Sequence, residues 1–341
     1  MKFRLILLFL IFVFSFYNVF SYTNISSCAD DIVSSGTYHM NQSFGDVSNC
    51  LLINANDVYL DCKGYVVYNS SIQGIYTSTT RDNITLVNCN LNGAGIGFSS
   101  VSTSNITILN STIFNATNNG VYMVCHDCLF ENLNISYCGG GGVYVSTGSN
   151  IIINNVSSHF NVQGLILSDT SGTNVSNFYA YNNSLRGLGM GFQVSNNTFT
   201  NLDLRFNNDG IKFWMVNGNN TFKNSIIKDN LVYNINFGDN STKNTFYNNS
   251  LGNFSKIYSN NWTKNTPNDW NYSGFGNTYD IGSGSYVCFD PSNNLNCDYF
   301  PSFLQSNLTV GVVSSGSKFP VSSFFSLFLS IFVLGLGFFW S

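Results

Sequence analysis

Apolar and polar positions along the chain recur in a short motif: glycine, an apolar residue, any residue, and a second apolar residue. Examples are G-I-Y-T at Gly74, G-V-Y-V at Gly142 and G-I-K-F at Gly210. With spacings of 21 to 25 residues, the motif falls at Gly74, Gly95, Gly120, Gly142, Gly164, Gly189 and Gly210. Alternation of apolar and other residues within each motif indicates a β-strand with one buried face.

A second marker, a short apolar run bounded by asparagines, follows each glycine. It reads N-I-T-L-V-N from Asn83, N-I-I-I-N from Asn150 and N-T-F-K-N from Asn220. Units of about 22 residues cannot each bury a face alone, whereas stacked units bury a continuous core. The pattern therefore predicts an all-β, single-stranded parallel β-helix. Identical asparagines on successive coils would form hydrogen-bonded amide ladders.

The two ends of the chain differ from the repeats. A basic start with Lys2 and Arg4 before an apolar run predicts a signal peptide and export. An uncharged apolar C-terminal segment predicts a single-pass transmembrane anchor that leaves the bulk on the extracellular face of the cell membrane. The alternatives for this segment are a buried helix and exchange for a lipid anchor. The predicted divisions are signal peptide (1–21), N-terminal cap and first coil (22–68), β-helix repeats (69–255), Cys-containing segment (256–310), Ser/Gly stalk (311–318) and transmembrane anchor (319–341).

Nine cysteines in an exported chain predict disulfides before they predict metal sites. Cys62 and Cys89 would occupy the same place on neighbouring coils, within the distance that a disulfide spans, although two buried thiols are the alternative. The stretch Cys125-His126-Asp127-Cys128 has a zinc-like spacing but no second paired motif, so disulfide or structural cysteines are favoured. The disulfide candidates are Cys28, Cys50, Cys62, Cys89, Cys288 and Cys297.

N-glycosylation signals are unusually frequent in the sequence, which supports a glycosylated surface protein. The alternative is that the repeat copies the triplet. Asparagines locked in an inward ladder could not carry glycans, so we expect fewer occupied sites than signals. The 19 signals lie at Asn24, Asn41, Asn69, Asn83, Asn105, Asn110, Asn115, Asn134, Asn155, Asn174, Asn182, Asn196, Asn219, Asn240, Asn248, Asn253, Asn261, Asn271 and Asn307.

Charge is sparse and slightly acidic, because 13 basic residues face 17 acidic ones for a formal net charge of −4. No basic patch is available to neutralise phosphates, so we expect no nucleic-acid partner. Charges concentrate between Asp203 and Asp229, which we interpret as a solvated outer face with local ion pairs. In the predicted register, no acidic cluster lies beside Arg186 or Arg205.

The repeats resemble the right-handed parallel β-helix proteins of the pectate-lyase-like superfamily, over about Leu51 to Asn253. The shared features are the coil length, the glycine-led strands and the asparagine-bounded turns. The opening segments, Cys28 to Tyr38 and Cys50 to Tyr65, are similar to those of exported archaeal β-helix surface proteins. The resemblance implies a right-handed β-helix on a cell-surface protein that contacts carbohydrate or other cells, and it implies no defined chemistry.

The same superfamily includes polysaccharide lyases and glycoside hydrolases, so such an enzyme is the alternative function. The N-N-D-G stretch from Asn207 is similar to the N-T-D motif of polygalacturonase-type hydrolases, but no Asp-Asp follows it, and neither the Gly-His-Gly nor the Arg-x-Lys that accompany that motif is present. Asp209 is the one candidate catalytic residue, and we interpret it as surface variation on a structural strand. We expect no metal and no cofactor, with calcium needed only if the protein is a lyase.

Binding has better support in the sequence than catalysis. The third position of the repeat motif points outward and carries Tyr76, Tyr122 and Tyr144. Tyr122 and Tyr144 fall on adjacent coils and would form an aromatic strip for sugar rings or apolar partners, although tyrosine also simply favours strands. We therefore expect a non-enzymatic, membrane-anchored surface glycoprotein for adhesion, glycan binding or envelope structure. Its partners would be carbohydrate or another cell-surface protein.

Overall fold

The computed structural model describes residues 21–259, 268–270, 276–281, 287–288, 297–298 and 302–303. The predicted signal peptide, apart from its last residue, and the predicted stalk and membrane anchor lie outside these residues. No helix among the described residues is long and apolar enough to cross a membrane. The anchor therefore stays a prediction from the sequence.

Strands make up the whole described framework, with one 3-10 helix at Phe254–Lys256. The strands are β1 (Thr23–Ile25), β2 (Gly36–Met40), β3 (Phe44–Gly45), β4 (Asn49–Leu52), β5 (Val58–Asp61), β6 (Val66–Tyr68), β7 (Gln73–Tyr76), β8 (Asp82–Val87), β9 (Asn90–Asn92), β10 (Ile96–Phe114), β11 (Val121–His126), β12 (Leu129–Ser136), β13 (Gly141–Ser149), β14 (Ile152–His159), β15 (Gln163–Leu167), β16 (Thr170–Ser171), β17 (Asn174–Tyr181), β18 (Arg186–Phe192), β19 (Thr198–Thr200), β20 (Asp203–Arg205), β21 (Asp209–Gly218), β22 (Thr221–Lys223), β23 (Ile226–Lys228), β24 (Tyr233–Phe237), β25 (Asp239–Thr242), β26 (Thr245–Tyr247), β27 (Ser250–Asn253), β28 (Ile257–Ser259), β29 (Thr278–Ile281), β30 (Val287–Cys288), β31 (Cys297–Asp298) and β32 (Ser302–Phe303).

The strands stack in parallel, coil on coil, as the sequence pattern predicts. Each coil contributes one strand to each of three faces, and strands on a face pair in register with the next coil. The first face holds the glycine-led strands, the second the asparagine-bounded runs, and the third the strands between. On the first face the paired inward residues are Leu51, Ile75, Phe98, Val121, Val143, Leu165, Leu188, Ile211, Ile235 and Ile257.

The core lies between the three faces and consists of apolar side chains that stack on those of the next coil along the axis. On the second face Phe199 stacks on Phe222 with ring centroids 4.5 Å apart, and Phe222 on Phe246 at 4.7 Å. Trp270 continues the stack 4.7 Å from Phe246. All four are fully buried. Such pairs contribute about 0.5–1.5 kcal/mol each beyond burial of their area.

The three corners of each coil explain why the chain is rich in asparagine. One residue at each corner adopts a left-handed backbone, which asparagine, aspartate and glycine tolerate best. The first corner carries Asp57, Asn83, Asn105, Asp127, Asn150, Gly172, Asn196, Asn219 and Lys243. The second carries Lys63, Asn88, Asn110, Asn132, Asn155, Asn177, Asn201, Asn224 and Asn248. The third carries Asp46, Asn69, Gly93, Asn115, Tyr137, Phe160, Asn182, Phe206 and Asp229.

Inward amide ladders confirm another prediction. The Asn183 side chain donates to Asn207 Oδ1 at 2.9 Å, and Asn207 donates to Asn230 Oδ1 at 3.3 Å. A second ladder donates from Asn197 to Asn220 at 3.0 Å and onward to later coils. These ladders satisfy buried polar groups at the corners.

The expectation that inward ladders block glycosylation signals is wrong for the described residues. There, every signal asparagine is exposed except Asn253, which is half-buried. In triplets such as Asn196-Asn197-Thr198, the first asparagine takes the exposed left-handed corner, the second points into the ladder, and the threonine begins the strand. The repeat therefore generates many of the signals, and glycosylation itself stays a prediction.

Two of the glycine motifs are assigned two residues out of register by the sequence pattern. The paired residues show that Gly97 and Gly187, not Gly95 and Gly189, occupy the repeat position. A Cβ on Gly97 would lie 2.5 Å from the Gly120 carbonyl oxygen, so the adjacent coil leaves no room for a side chain. Contacts of this kind to the next coil's backbone recur at Gly74, Gly97, Gly120, Gly142, Gly164, Gly187 and Gly210.

Four of the candidate cysteines form disulfides at the N-terminal end of the stack, and of these the Cys62–Cys89 pair is the one predicted. Disulfides join Cys28 to Cys50 and Cys62 to Cys89, the second with Cα atoms 4.8 Å apart on neighbouring coils. The backbones of Cys288 and Cys297 pair in an antiparallel ladder, while their side chains lie outside the described part of the chain.

The remaining described cysteines, Cys125, Cys128 and Cys138, are buried free thiols. Burial raises the pKa of Cys138 to about 11. No group of three His, Cys, Asp or Glu side chains able to hold a metal occurs among the described residues.

Candidate functional site

The corrected register brings charged residues together on the outer side of the first face. Arg186 pairs with Gln163 on one side and with Asp209 on the other, in a single outward column. The next outward column carries Gly189 and Lys212. With Gly189 misassigned, Leu188 is predicted beside Asp209, and the Arg186–Asp209 neighbourhood is missed.

Asp209 is not the solvated surface variation that the sequence suggests. Only 8% of the residue is exposed, and burial raises its pKa above the ordinary value, against the opposing influence of Asn236, Lys212, Arg186 and the Tyr233 backbone. The Asn236 side chain donates to Asp209 Oδ2 at 3.1 Å. Asp209 Oδ1 is buried and has no hydrogen-bond partner in the described structure. A carboxylate oxygen in this state lacks the hydrogen-bond donor that a buried acceptor normally has.

Arg186 is held between an amide and an indole ring. Its Nη1 donates to Gln163 Oε1 at 3.0 Å, and its guanidinium lies 4.6 Å from the ring centroid of Trp214. Burial lowers the pKa of Arg186, partly offset by the charge of Asp209. Arg186 Nε is also buried without a partner among the described residues. The position of Trp214 depends on Gly189, because a Cβ there would lie 2.9 Å from the indole.

Lys212 completes the cluster. Its Nζ donates to Asn236 Oδ1 at 2.7 Å, so Asn236 bridges Lys212 and Asp209. Burial lowers the pKa of Lys212, with Asp209 acting in the opposite direction. We call Gln163, Arg186, Asp209, Lys212, Trp214 and Asn236 the first-face cluster. Two cations and one carboxylate give it a positive balance in a chain whose formal net charge is −4.

The predicted tyrosine strip lies on the same face, two coils before Arg186. Tyr122 and Tyr144 occupy adjacent coils, with ring centroids 5.3 Å apart in an edge-on arrangement. Both rings are half-buried. Tyr76 is separated from them by Ser99, which takes the intervening outward position. The strip therefore consists of Tyr122 and Tyr144 alone.

The charged region between Asp203 and Asp229 does not form one face. Asp203 and Arg205 lie on the third face, where Arg205 Nε and Asp203 Oδ1 are 2.6 Å apart. Asp209 and Lys212 lie on the first face. The interpretation as a solvated face with local ion pairs fits the first pair and is wrong for the second. Sequence reasoning missed Gln163, Trp214 and Asn236, which carry no motif and are identified only by register.

Comparisons with known proteins agree with this architecture. A right-handed β-helix family model matches residues 94–251, and a model for a protein of unknown function, DUF3737, matches residues 15–125. No curated protein matches the chain. The chain is therefore a right-handed parallel β-helix protein, as the resemblance implies. The narrower similarity to exported archaeal proteins stays a prediction.

Two solved structures show the same fold. They are A-modules of the mannuronan C-5 epimerases AlgE6 and AlgE4 from Azotobacter vinelandii, each 15% identical to the chain and covering 73% of it. The TM-scores are 0.60 and 0.53, with 79% and 90% of the respective modules covered. At this identity the likeness concerns the fold alone.

Proposed function

We propose that the protein binds an acidic polysaccharide along the first face. One observation carries the proposal: the first-face cluster holds partly desolvated charges with a positive balance, and two of its polar atoms, Asp209 Oδ1 and Arg186 Nε, are buried without partners in the described structure. Such groups cost free energy unless a ligand satisfies them. An arginine fork suits a carboxylate, and an unpaired carboxylate oxygen suits a sugar hydroxyl.

The rest of the first face fits an extended chain rather than a single sugar. Tyr122 and Tyr144 offer aromatic surface two coils from Arg186, and successive coils advance by about 4.8 Å. A groove of about 500 Å³ follows the carboxyl ends of the first-face strands and is lined mainly by hydroxyl and amide side chains, such as Thr170, Ser195 and Asn217. That groove does not include Asp209, so it would extend a binding surface and not form its centre.

The cellular setting belongs to the proposal as well. An apolar start and an apolar end support export and membrane anchoring, and exposed signal asparagines support N-glycosylation. Binding of an acidic polysaccharide would then serve adhesion or envelope structure at the cell surface. Mannuronan is the first ligand to try, because two solved structures of this fold are named as mannuronan epimerases.

A second function is an enzyme acting on the same polysaccharide by proton transfer. Burial moves the pKa of Asp209 upward and that of Lys212 downward, so both groups move toward neutral pH. Opposite shifts in one cluster are typical of general acid–base pairs. A lyase or hydrolase on this fold would use Asp209 first, and only a lyase would call for calcium.

Calorimetry of the full-length protein with mannuronan, polygalacturonate and neutral dextran tests binding. We expect Arg186→Gln to weaken binding of the acidic polymers about tenfold and to leave any binding of dextran unchanged. The matched control is Lys223→Gln, which removes the same charge from the second face and should leave the affinity unchanged. Weaker dextran binding in Arg186→Gln, or equal loss of acidic-polymer binding in both variants, would contradict the proposal.

Product analysis of the same mixtures separates binding from turnover. Incubation with and without calcium should give no new reducing ends, no unsaturated products and no change in uronate configuration if the protein only binds. Turnover that Asp209→Asn abolishes would establish the enzyme in place of the binding protein.

A further inference from the structure

Three aromatic residues occupy corner positions where the backbone disfavours them. Tyr137, Phe160 and Phe206 have φ angles of 59°, 56° and 59° at the third corner. The same corner is filled by asparagine at Asn115 and Asn182. A left-handed backbone is a genuine outlier for a bulky residue and costs of order 1–3 kcal/mol. Asparagine would cost less free energy at these positions, yet the chain carries aromatic residues there.

Burial in the core does not explain why aromatic residues occupy these three corner positions. Tyr137 is 51% exposed, Phe160 44% and Phe206 52%, so each leaves much of an apolar surface in water. Strained and exposed apolar residues at one place indicate a functional surface, since neither feature stabilises the fold.

Tyr137 and Phe160 form a continuous aromatic strip with neighbouring rings, and Phe206 lines a pocket together with Tyr181 at the end of that strip. Phe114 lies 5.3 Å from Tyr137, and Tyr137 stacks on Phe160 at 5.1 Å. Phe160 contacts His159 at 5.5 Å, and His159 stacks on Tyr181 at 4.7 Å, with only 6° between the ring planes. Every coil from Phe114 to Tyr181 carries at least one ring, and the advance per coil is close to the advance per residue of an extended pyranose chain. Burial lowers the pKa of His159, so its ring is the neutral form at neutral pH.

At one end the strip meets a pocket of about 380 Å³ on the third face. Its lining residues are Ser157, Tyr179, Tyr181, Asn182, Asp203, Arg205 and Phe206. Arg205 donates to both carboxylate oxygens of Asp203, at 2.6 and 2.7 Å, and its guanidinium lies 5.8 Å from the Phe206 ring centroid. The pocket therefore has no net charge, because its one cation is neutralised by its one anion.

We propose that this aromatic corner is a second carbohydrate site, which takes a neutral oligosaccharide. The apolar faces of pyranose rings would stack on Phe206, Tyr181 and the rings beyond, while hydroxyls bond to Asp203 and Ser157. Pockets of this size with aromatic walls and few polar groups are typical of small-ligand sites. Charge separates the two sites, since the first-face cluster has a positive balance and the corner pocket has none. The site lies on another face and does not depend on the proposed function.

The sharpest variant replaces a strained ring with the residue that the corner itself prefers. Phe206→Asn removes the stacking surface, restores the corner asparagine and creates no new glycosylation signal. The full-length protein should come from a host that does not glycosylate, so that no glycan on Asn182 fills the pocket. We expect wild-type protein to bind neutral gluco-, manno- or galacto-oligosaccharides on an array, and Phe206→Asn to bind about tenfold more weakly. Its thermal midpoint should rise or stay unchanged.

Tyr59→Ser is the matched control, because Tyr59 is an aromatic residue of the second face that is 41% exposed. It should leave oligosaccharide binding unchanged. Both variants should bind mannuronan as the wild-type protein does, so failure at one face is distinguishable from failure at the other. Three results would overturn the inference: no binding of any neutral oligosaccharide, equal weakening by Tyr59→Ser, or a lowered thermal midpoint in Phe206→Asn.

Discussion

The Asp209 carboxylate lies on the outer side of β21 and is covered by neighbouring side chains. Its Oδ2 accepts a hydrogen bond from Asn236, whereas its Oδ1 is buried with no partner in the described structure. Arg186 and Lys212 face it and favour the ionised form, yet burial is the larger effect and the pKa is raised. The folded state therefore tolerates the Asp209 charge at a cost, which is the condition expected of a group kept for a ligand.

The cost at Asp209 predicts a pH-dependent stability difference. With its pKa raised on folding, the folded state binds the proton more tightly, so stability falls as pH rises from the unfolded value near 3.8 through the folded value. Asp209→Asn should thus raise the thermal midpoint at pH 7, and the gain should vanish below the unfolded pKa. Asp57→Asn, the same change at an exposed corner, should show no such gain. A lower thermal midpoint for Asp209→Asn at pH 7 would show that the Asp209 charge does not destabilise the folded state.

At the scale of one coil, the inward asparagines determine how the corners are closed. The Asn207 side chain donates to the Ala180 carbonyl at 2.9 Å and accepts from the Asn183 backbone at 3.0 Å. Asn207 is fully buried, so the Ala180 carbonyl and the Asn183 backbone N–H depend on its side chain for these hydrogen bonds. The neighbouring Asn208 is half-buried and contributes only its backbone carbonyl to Val232.

Asn207→Ala should therefore destabilise the protein by about 3 kcal/mol, because it leaves buried backbone groups without partners. Asn208→Ala, one residue away, should change the free energy of unfolding by no more than about 0.5 kcal/mol. Urea titration of both variants measures the difference. Similar values for the two would show that the ladder does not hold the corner.

The coil repeat is readable from the sequence because stacking imposes identical demands on every coil. Glycine recurs where the next coil's carbonyl leaves no room for a Cβ, and asparagine recurs at left-handed corners. Two-residue errors arise at Gly95 and Gly189 because each stretch contains glycines two residues apart. Gly187 and Gly189 both fit the motif, whereas Gly97 lacks the second apolar residue, since Ser100 takes that place. Only backbone pairing separates Gly187 from Gly189, and with it the neighbour of Asp209. The aromatic corner was missed because a left-handed phenylalanine carries no sequence signal.

Across the whole stack, stability is distributed unevenly. A coil contacts only its neighbours, so the ends of a solenoid open more readily than its middle. Both described disulfides lie at the N-terminal end, closing loops with sequence separations of 22 and 27 residues. The large stacked rings, Phe199, Phe222 and Phe246, lie toward the other end. The disulfides thus restrain the end of the stack that lacks these large stacked rings.

Removing the second cross-link should therefore loosen one end of the stack and spare the other. A loop of this length gives a disulfide about 3 kcal/mol of stabilisation. In the double variant Cys62→Ala/Cys89→Ala we expect amide hydrogen exchange to accelerate strongly in β5 and β8, while β21 and β24 keep their protection. The control is Cys138→Ala, which removes a buried free thiol in the middle of the stack and should not affect β5. Uniform acceleration along the chain would mean that the coils unfold as one cooperative unit, which would contradict local opening at the N-terminal end.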